Sequence, residues 1–279
     1  MSVIINDEIS LTSISPPFRP KLTITPTQFN LFTGMNGSGK TFLLNHITNL
    51  LNQKNREQKT NVAIVPIRED RFYAGKLQYV KAQVDLSNIV NTANIAPETP
   101  EKKQLNEDLQ YLFQREVDMI TDRGGNPAPN FRKSSGNVHV SADGRGIVNT
   151  WTILEYVAHS PMNFPLIVEE ISLSLHPSLL EKFLDRLFMR LNEKKMQLFA
   201  TTQDPFTVFY FLKNKLSENC DWNDTNPDYS VFHFSDNSDG LNVEKITKEN
   251  IYSSMNDLMG DFQGSPDLQK FNMLFSKKL

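Results

Sequence analysis

The sequence predicts an α/β fold in which a mostly parallel sheet is covered by helices on both faces. Three observations predict this class. Apolar segments of strand length alternate with amphipathic helices, a glycine-rich loop joins a strand to a helix, and a second apolar strand ends in two acidic residues. The chain has 279 residues, a length that suits one large domain with an insertion. We therefore expect a single domain over residues 1–279, with a helical and loop insertion at about 72–140.

The glycine-rich loop lies between an apolar segment at 28–33 and a helix that begins near Thr41. Its residues 34–41 match the phosphate-loop pattern G-x-x-x-x-G-K-[ST] at every fixed position. Glycines let backbone N–H groups point inward at phosphate oxygens, and the helix N-terminus adds the positive end of a dipole. In this pattern the lysine reaches the β- and γ-phosphates, and the Thr41 hydroxyl binds Mg²⁺. The predicted nucleotide-binding residues of the loop are Gly34, Asn36, Gly37, Ser38, Gly39, Lys40, Thr41 and Phe42.

The apolar strand that ends in two acids comes later in the chain, where the run 164–168 is followed by Glu169 and Glu170. The C-terminal end of a buried parallel strand can hold an acid beside bound phosphates. We expect Glu169 to position Mg²⁺, directly or through a water, and Glu170 to orient the attacking water. The competing interpretation is a pair of solvated acids at a strand end.

The other elements follow from periodicity and from turn residues. A second buried strand at 61–67 ends in a charged cluster that begins with Arg68, and apolar residues at helical spacing predict a helix near 101–121. The later elements are a loop at 122–137, a helix from about 150, an amphipathic helix at 177–194, a buried strand at 197–202 and a terminal hairpin at 231–243.

Composition excludes several classes of protein. The chain has 29 Lys+Arg against 32 Asp+Glu, a net charge of -3. This balance of charges is not that of a strongly basic nucleic-acid binder, although it does not exclude a local basic patch. Cys220 is the only cysteine, so no intrachain disulfide can form. No apolar run approaches a membrane span and the first residues lack the pattern of a signal peptide, so we expect a soluble cytoplasmic protein without membrane partners.

Three motifs together carry a family resemblance. The phosphate loop, the run 166–177 with its Leu-His-Pro ending, and the run 199–206 resemble the ABC-type ATPase heads. The chain is most similar to the soluble SMC/RecF-like and OLD-like branch of these heads. The resemblance covers about residues 29–210, and the region 72–140 matches no family that we can name. It implies a P-loop NTPase of the ABC-head type.

The resemblance also implies an activity and partners. Such heads bind Mg-ATP, hydrolyse it, and pair head to head with each ATP held between two copies. The chain contains no nuclease and no coiled coil, so the effector driven or gated by this cycle is expected on a separate protein subunit. DNA repair or bacterial defence against phage is the setting that the resemblance implies.

Two positions depart from the family pattern. Gln203 lies where the family usually has a switch histidine that senses the γ-phosphate. Glutamine can still donate a hydrogen bond, but it cannot titrate. Glu169 replaces the usual aspartate and is one methylene longer. We still expect nucleotide binding, but with these two departures the resemblance does not predict fast hydrolysis. Leu175–Pro177 occupies the position of the dimer-contacting D-loop.

The family's signature motif has a loose candidate at residues 140–146, before the helix from about 150. Here Ser141 and Gly144 would bind the γ-phosphate of the partner copy, and Arg145 would add positive charge in trans. A plain surface loop with a helix cap is the alternative. Arg68 lies where related ATPases often carry an arginine, and it would contact phosphate or the head partner. Its alternative is a surface ion pair with a neighbouring acid.

Two other functions stay open at this point. The first is a nucleotide-gated binding module with little turnover, in which ATP acts as a structural ligand; the departures at Glu169 and Gln203 motivate it. The second is the ATPase subunit of a membrane transporter. The missing glutamine loop and the imperfect signature argue against the transporter.

Overall fold

The structure is a computed structural model. It describes residues 5, 9–10, 23–35, 37–57, 64, 67, 99–114, 117–121, 127–133, 136–139, 145–172, 175–215, 228–237 and 240–247. The chain forms two compact units. The sheet unit comprises Ile4–Asn49, Ile167–Ser172 and Gln197–Leu279. The helical unit comprises Met1–Val3, Leu50–Leu166 and Leu173–Met196. The predicted single domain over 1–279 stays a prediction.

The elements are numbered in chain order. The strands are β1 (Ile9–Ser10), β2 (Thr23–Ile24), β3 (Phe29–Gly34), β4 (Val117–Thr121), β5 (Pro127–Lys133), β6 (Gly136–His139), β7 (Pro165–Val168), β8 (Gln197–Thr202), β9 (Tyr229–Asn237) and β10 (Gly240–Lys245). The helices are α1 (Lys40–Glu57), α2 (Pro100–Phe113), α3 (Arg145–His159), α4 (Pro177–Glu193) and α5 (Pro205–Lys215).

A five-stranded sheet with the order β10-β9-β3-β8-β7 forms the centre of the sheet unit. Strand β3 pairs in parallel with both β8 and β9, and β10 returns antiparallel to β9 as the predicted hairpin. Every residue of β3 and β8 is buried, as expected for parallel strands covered on both faces. The loop that follows β3 therefore leaves the middle of the sheet.

Two buried amide side chains, near the starts of β3 and β8, bind backbone groups of this core. The side chain of Asn30 donates to the carbonyl oxygens of Thr27 (2.8 Å) and Leu198 (3.0 Å). The side chain of Gln197 accepts from the N–H of Ile5 (3.0 Å) and donates to its carbonyl oxygen (2.9 Å). Buried amides of this kind are tolerated because their donors and acceptors are satisfied.

Helix α4 in the helical unit shows why its sequence forms a helix. The side chain of His176 caps the N-terminus by accepting from the N–H of Ser178, and Pro177 occupies the first turn, where no N–H is needed. Apolar residues at spacings of three and four form one buried side, consisting of Leu180, Phe183, Leu184, Leu187, Phe188 and Leu191. The helix predicted at 177–194 is thus confirmed.

A pair of arginines ties α4 to α2 within the same unit. Arg190 binds the buried carboxylate of Asp108 through two nitrogens, at 3.0 and 2.8 Å. Arg186 approaches the same carboxylate at 3.5 Å and lies over the ring of Tyr111, 4.2 Å from its centre. A bidentate arginine donates to both oxygens of a carboxylate and pairs its charge, which is the condition for burying one.

The described residues of the region 72–140 differ from the predicted helical and loop insertion. The helix predicted near 101–121 ends at Phe113, because Gln114 adopts a left-handed backbone with φ of 51°. The segment predicted as a loop at 122–137 contains β5, which pairs antiparallel with β4 and β6 in a three-stranded sheet. Proline and asparagine made this segment look like a loop. Pairing with neighbouring strands overrides that local preference.

The strand predicted at 61–67 lies mostly outside the described residues. Ile64 is buried, and the amide of Asn52 on α1 binds both its N–H and its carbonyl oxygen at 2.7 Å. Ile67 takes part in a single β-bridge. In the parts of the chain that the structure describes, no helix combines the length and apolar character needed to cross a membrane.

Candidate functional site

The candidate site begins where β3 ends and α1 starts, in the sheet unit. Three glycines of the intervening loop have positive φ angles: 136° at Gly34, 80° at Gly37 and 87° at Gly39. Residues with a side chain rarely adopt such angles, so the loop depends on glycine at these positions. Such a curl can direct backbone N–H groups at an anion, as in a phosphate cradle. Within the loop, the N–H of Ser38 donates to the carbonyl oxygen of Met35 at 3.3 Å. Asn36 lies outside the described residues.

Gly34 has a second reason to be glycine. A Cβ at this position would lie 2.2 Å from the carbonyl oxygen of Phe234 on β9. Gly37 differs, since no atom lies within 4 Å of the Cβ that it would gain. The start of the loop is therefore packed tightly against the neighbouring strand, whereas its middle is open to a ligand.

Lys40 closes the loop from within. Its side chain is 6% exposed, and its amine donates to the carbonyl oxygens of Gly34 (2.6 Å) and Met35 (2.7 Å). A longer contact of 3.4 Å joins the amine to the hydroxyl of Ser38. These contacts hold the ammonium group at the curl of the loop, where it can also meet a phosphate oxygen.

Burial has the largest effect on Lys40 and lowers the pKa of its amine. The negative charges of Glu170 and Glu169 raise this pKa and offset part of the lowering. Lysine, loop and acids thus form one electrostatic unit, although 129 or more residues separate Lys40 from the acids in the sequence.

Thr41 and Glu169 are brought into direct contact. The Thr41 hydroxyl donates a hydrogen bond to Oε1 of Glu169, on the exposed side of the loop. These are the two side chains that the sequence predicts as magnesium ligands. A hydroxyl and a carboxylate oxygen side by side fit Mg²⁺, which prefers oxygen ligands and keeps several waters or phosphate oxygens. A bound Mg²⁺ would take the place of this hydrogen bond, with the Thr41 hydroxyl keeping its proton and both oxygens serving as ligands.

Glu170 has an unusual backbone. Its φ of 55° lies in the left-handed region, which is strained for a residue with a side chain. Its N–H donates to the hydroxyl of Thr201 at 2.9 Å, and its Oε2 accepts from the backbone N–H of Gln203 at 3.2 Å. The residue is therefore held at both ends by the end of β8. Strained residues that their surroundings hold in place are frequent at active sites.

Gln203 and Asp204 connect β8 to α5. The carboxylate of Asp204 accepts from the N–H of Phe206 at 3.3 Å and from the N–H and hydroxyl of Thr207 at 2.9 and 2.7 Å. Asp204 is thus the N-cap of α5. The cap fixes where the strand stops and the helix starts, and so fixes Gln203 beside Glu170.

The structure brings together most of the predicted site and leaves a few positions open. Lys40, Thr41, Glu169, Glu170 and Gln203 converge within the sheet unit. The predicted site residues that lie outside the described residues are Asn36, Arg68, Ser141 and Gly144.

Two further predicted residues lie next to helix starts. Phe42 follows Thr41 on the first turn of α1 and is 45% exposed. Arg145 is the first residue of α3 in the helical unit, so the last two residues of the candidate signature 140–146 lie in the first turn of this helix.

Sequence reasoning missed Thr201 and Asp204. Both lie in the run 199–206 on which the family resemblance rests, but the resemblance gives neither a role. The signal that would have found Asp204 is local: an aspartate just before the Pro-Phe-Thr start of an apolar helix is a typical N-cap. The hydroxyl of Thr201 meets Glu170 across 31 residues of sequence, and no local pattern predicts that contact.

Comparison with known proteins defines the class of fold. No family model matches the sequence. No curated protein matches it either. Among solved structures, the chain is similar to the SMC head domain from Thermotoga maritima, with 11% identity and a TM-score of 0.52 over 86% of this chain and 97% of that one. The fold is therefore the α/β P-loop fold of ABC-type ATPase heads, and this prediction is confirmed.

A second solved structure has the printed description of an SmcHead bound to the C-winged helix domain of ScpA. It is 13% identical, covers 84% of this chain and 94% of its own, and has a TM-score of 0.46. At 11% identity, the likeness to the Thermotoga maritima head domain concerns the fold alone. The chemistry of the site rests on its own residues.

Proposed function

We propose that this chain is an ATP-binding and ATP-hydrolysing head. The observation that carries the proposal is the convergence of Lys40, the Thr41–Glu169 pair and Glu170 around a loop with three positive-φ glycines. A phosphate loop alone binds nucleotide. An acid held beside the loop on the next strand but one adds what hydrolysis needs.

The residues divide the chemistry among them. Backbone N–H groups of the loop and the ammonium of Lys40 would bind the β- and γ-phosphates and offset their charge. Thr41 and Glu169 would hold Mg²⁺, which supplies charge stabilisation for the phosphate oxygens. Glu170 would orient a water and take up its proton, and Gln203 would report on the γ-phosphate through its side-chain amide.

We further propose that the head works as a pair. Thr41 and Phe42, in the first turn of α1 directly after the loop, are exposed, so the nucleotide would face outward and a second copy can cover it. The candidate residues of the covering surface are Ser141, Gly144 and Arg145, which directly precede or begin α3. A helix N-terminus placed in trans on the γ-phosphate would contribute N–H donors and positive dipole charge.

The partner and setting are proposed from the family resemblance alone. The cycle of pairing and release would drive or gate a separate effector subunit, in DNA repair or in bacterial defence against phage. Arg68 is proposed to contact phosphate or the head partner. We propose a cytoplasmic location.

Steady-state ATP hydrolysis by the purified chain tests the proposal. Turnover should exceed that of Lys40→Ala, because this variant lacks the charge-assisted phosphate contact; ATP affinity should fall about 100-fold or more. Lys103→Ala, at an exposed position on α2, is the matched control and should behave as the unsubstituted chain. Equal ATP affinity in Lys40→Ala and Lys103→Ala would sink the phosphate-loop assignment.

Pairing is tested with Glu170→Gln. This substitution keeps the shape of the side chain but removes the base, so the variant should bind ATP and accumulate as a dimer in Mg-ATP. Light scattering coupled to size exclusion measures the mass with and without nucleotide. A variant that binds Mg-ATP and stays monomeric at every concentration would contradict the paired head.

A second function is proposed from the two departures from the family pattern, Glu169 and Gln203. In it the chain is a nucleotide-gated binding module with little turnover, and ATP acts as a structural ligand. ATP binding and dimerisation without turnover in the unsubstituted chain would favour this function. If Gln203→His then left turnover at zero, the glutamine would not explain the inactivity.

A further inference from the structure

We propose that Thr201 is a positioning residue for Glu170, acting through the backbone of the turn that follows β7. The inference deepens the function proposed above and rests on it, because Glu170 is there assigned as the group that orients the attacking water.

Thr201 holds two successive N–H groups of this turn. Its hydroxyl accepts from the N–H of Glu170 at 2.9 Å, and its carbonyl oxygen accepts from the N–H of Ile171 at 2.9 Å. Thr201 itself is 1% exposed and lies in β8, the strand next to β3. A group that is so deeply buried and bonded on both sides has little freedom to move.

The hydroxyl matters because the turn is strained. Glu170 has a φ of 55°, which a residue with a side chain adopts only when its surroundings hold it there. If the hydroxyl is removed, the N–H of Glu170 loses its acceptor within the sheet. The backbone can then relax toward ordinary angles and turn the carboxylate away from its place.

The same strand end controls the carboxylate as well. Gln203, two residues after Thr201, donates its backbone N–H to Oε2 of Glu170 at 3.2 Å. The hydroxyl of Thr201 therefore sets the backbone of Glu170, and the N–H of Gln203 sets its carboxylate. A shift of residues 201–203 would therefore move the backbone of Glu170 and its carboxylate together.

Kinetics of three variants test the role. Thr201→Val has nearly the same shape without the acceptor, so kcat should fall about 10- to 100-fold, with KM for ATP within about twofold. Thr201→Ser keeps a hydroxyl and should restore most of kcat. Thr33→Val is the matched control: Thr33 is a buried threonine on the neighbouring strand β3, and its hydroxyl has no partner among the described residues.

Hydrogen exchange gives a readout that needs no turnover. The amides of Glu170 and Ile171 should exchange faster in Thr201→Val than in Thr201→Ser or Thr33→Val, while the β3 and β9 amides keep their protection. A Thr201→Val variant with unchanged kcat and unchanged exchange at 170 and 171 would overturn the inference. Loss of protection throughout the sheet would also overturn it, since the hydroxyl would then be structural.

The two proposals fail in different ways. If the unsubstituted chain binds ATP without hydrolysing it, the catalytic part of the proposed function fails, and the exchange data alone decide whether Thr201 holds the turn. If the unsubstituted chain hydrolyses ATP and Thr201→Val does so equally well, the proposed function stands and the positioning role is wrong.

Discussion

Two buried regions of this chain treat their polar groups in opposite ways. At the candidate site, Lys40 and Glu170 each have at least two hydrogen-bond partners. Along α3, residues 149–158 are all buried, and three polar side-chain atoms lack a partner among the described residues: Nδ2 of Asn149, Nε1 of Trp151 and Oε2 of Glu155. The polar groups of the site are held in one geometry by their hydrogen bonds. The three atoms of α3 are buried without such bonds, which lowers the stability of the fold.

This difference in hydrogen bonding affects both the stability of the fold and how firmly each side chain is positioned. A buried polar group with partners is held in place at little net cost, whereas one without partners lowers stability by about 1–3 kcal/mol. The site can therefore keep a strained residue such as Glu170, because Thr201 and Gln203 hold it. Helix α3 follows the candidate signature, and it relies on apolar packing to offset its buried polar atoms.

The largest expected effect concerns how tightly the loop is packed. Gly34→Ala would place a Cβ 2.2 Å from the carbonyl oxygen of Phe234, so it should destabilise the fold by about 3 kcal/mol. Gly37→Ala meets no atom within 4 Å and should cost only about 1 kcal/mol of backbone strain. Urea unfolding of both variants measures the difference. Equal losses would mean that strain alone, and not close packing, governs the loop.

The next effect concerns Glu155 and pH. Burial raises the pKa of Glu155 from 4.5 to about 8. Between these values the unfolded chain ionises Glu155 while the folded chain keeps it protonated, so the folded state loses stability as pH rises from about 5 to 8.

Glu155→Gln removes this ionisation. Its stability relative to the unsubstituted chain should grow with pH over the same interval, by about 3 kcal/mol between pH 5 and pH 8. Thermal or urea unfolding at pH 5, 6.5 and 8 tests the trend, with the exposed Glu107→Gln on α2 as the control. A stability difference that is flat across this range would show that Glu155 has a compensating charge.

A smaller effect is expected at the N-cap of α5. Asp204→Ala removes the acceptor of the N–H groups of Phe206 and Thr207, and should cost about 1 kcal/mol of stability. Asp185→Ala, at an exposed position within α4, is the control. Turnover should fall as well, because the cap fixes Gln203 beside Glu170. If Asp204→Ala were as active as Asp185→Ala, the N-cap would not contribute to turnover.

The smallest effect sharpens the comparison within the sheet unit itself. Thr33 is buried in β3, and its hydroxyl has no partner in the described part of the chain. Thr33→Val should leave stability within about 0.5 kcal/mol or raise it slightly, since it removes an unsatisfied group at constant shape. A loss above 1 kcal/mol in urea unfolding would reveal a partner for this hydroxyl.

Local patterns predict much of this fold. The phosphate loop, the strand before Glu169, helix α4 and strand β8 follow from short-range spacing, and the structure has them where the sequence places them. The sheet β4-β5-β6 does not follow, because Pro127 and Pro129 favour a loop locally and only antiparallel pairing makes their segment a strand.

The site divides in the same way. Lys40 and Thr41 can be recognised from their motif, and the two acids from the strand that precedes them. The hydroxyl of Thr201 and the backbone N–H of Gln203 act on Glu170 from 31 and 33 residues away. Side-chain to backbone bonds of this range depend on strand order, which spacing along the chain does not encode.

The bond between Gln197 and Ile5 has an evolutionary consequence. The amide of Gln197 binds the N–H and the carbonyl oxygen of Ile5, so it recognises the main chain and not the identity of residue 5. Any apolar residue that fills the buried space at position 5 keeps both bonds, whereas replacement of Gln197 breaks both. Among relatives with this geometry, position 5 should drift among apolar residues while position 197 stays an amide.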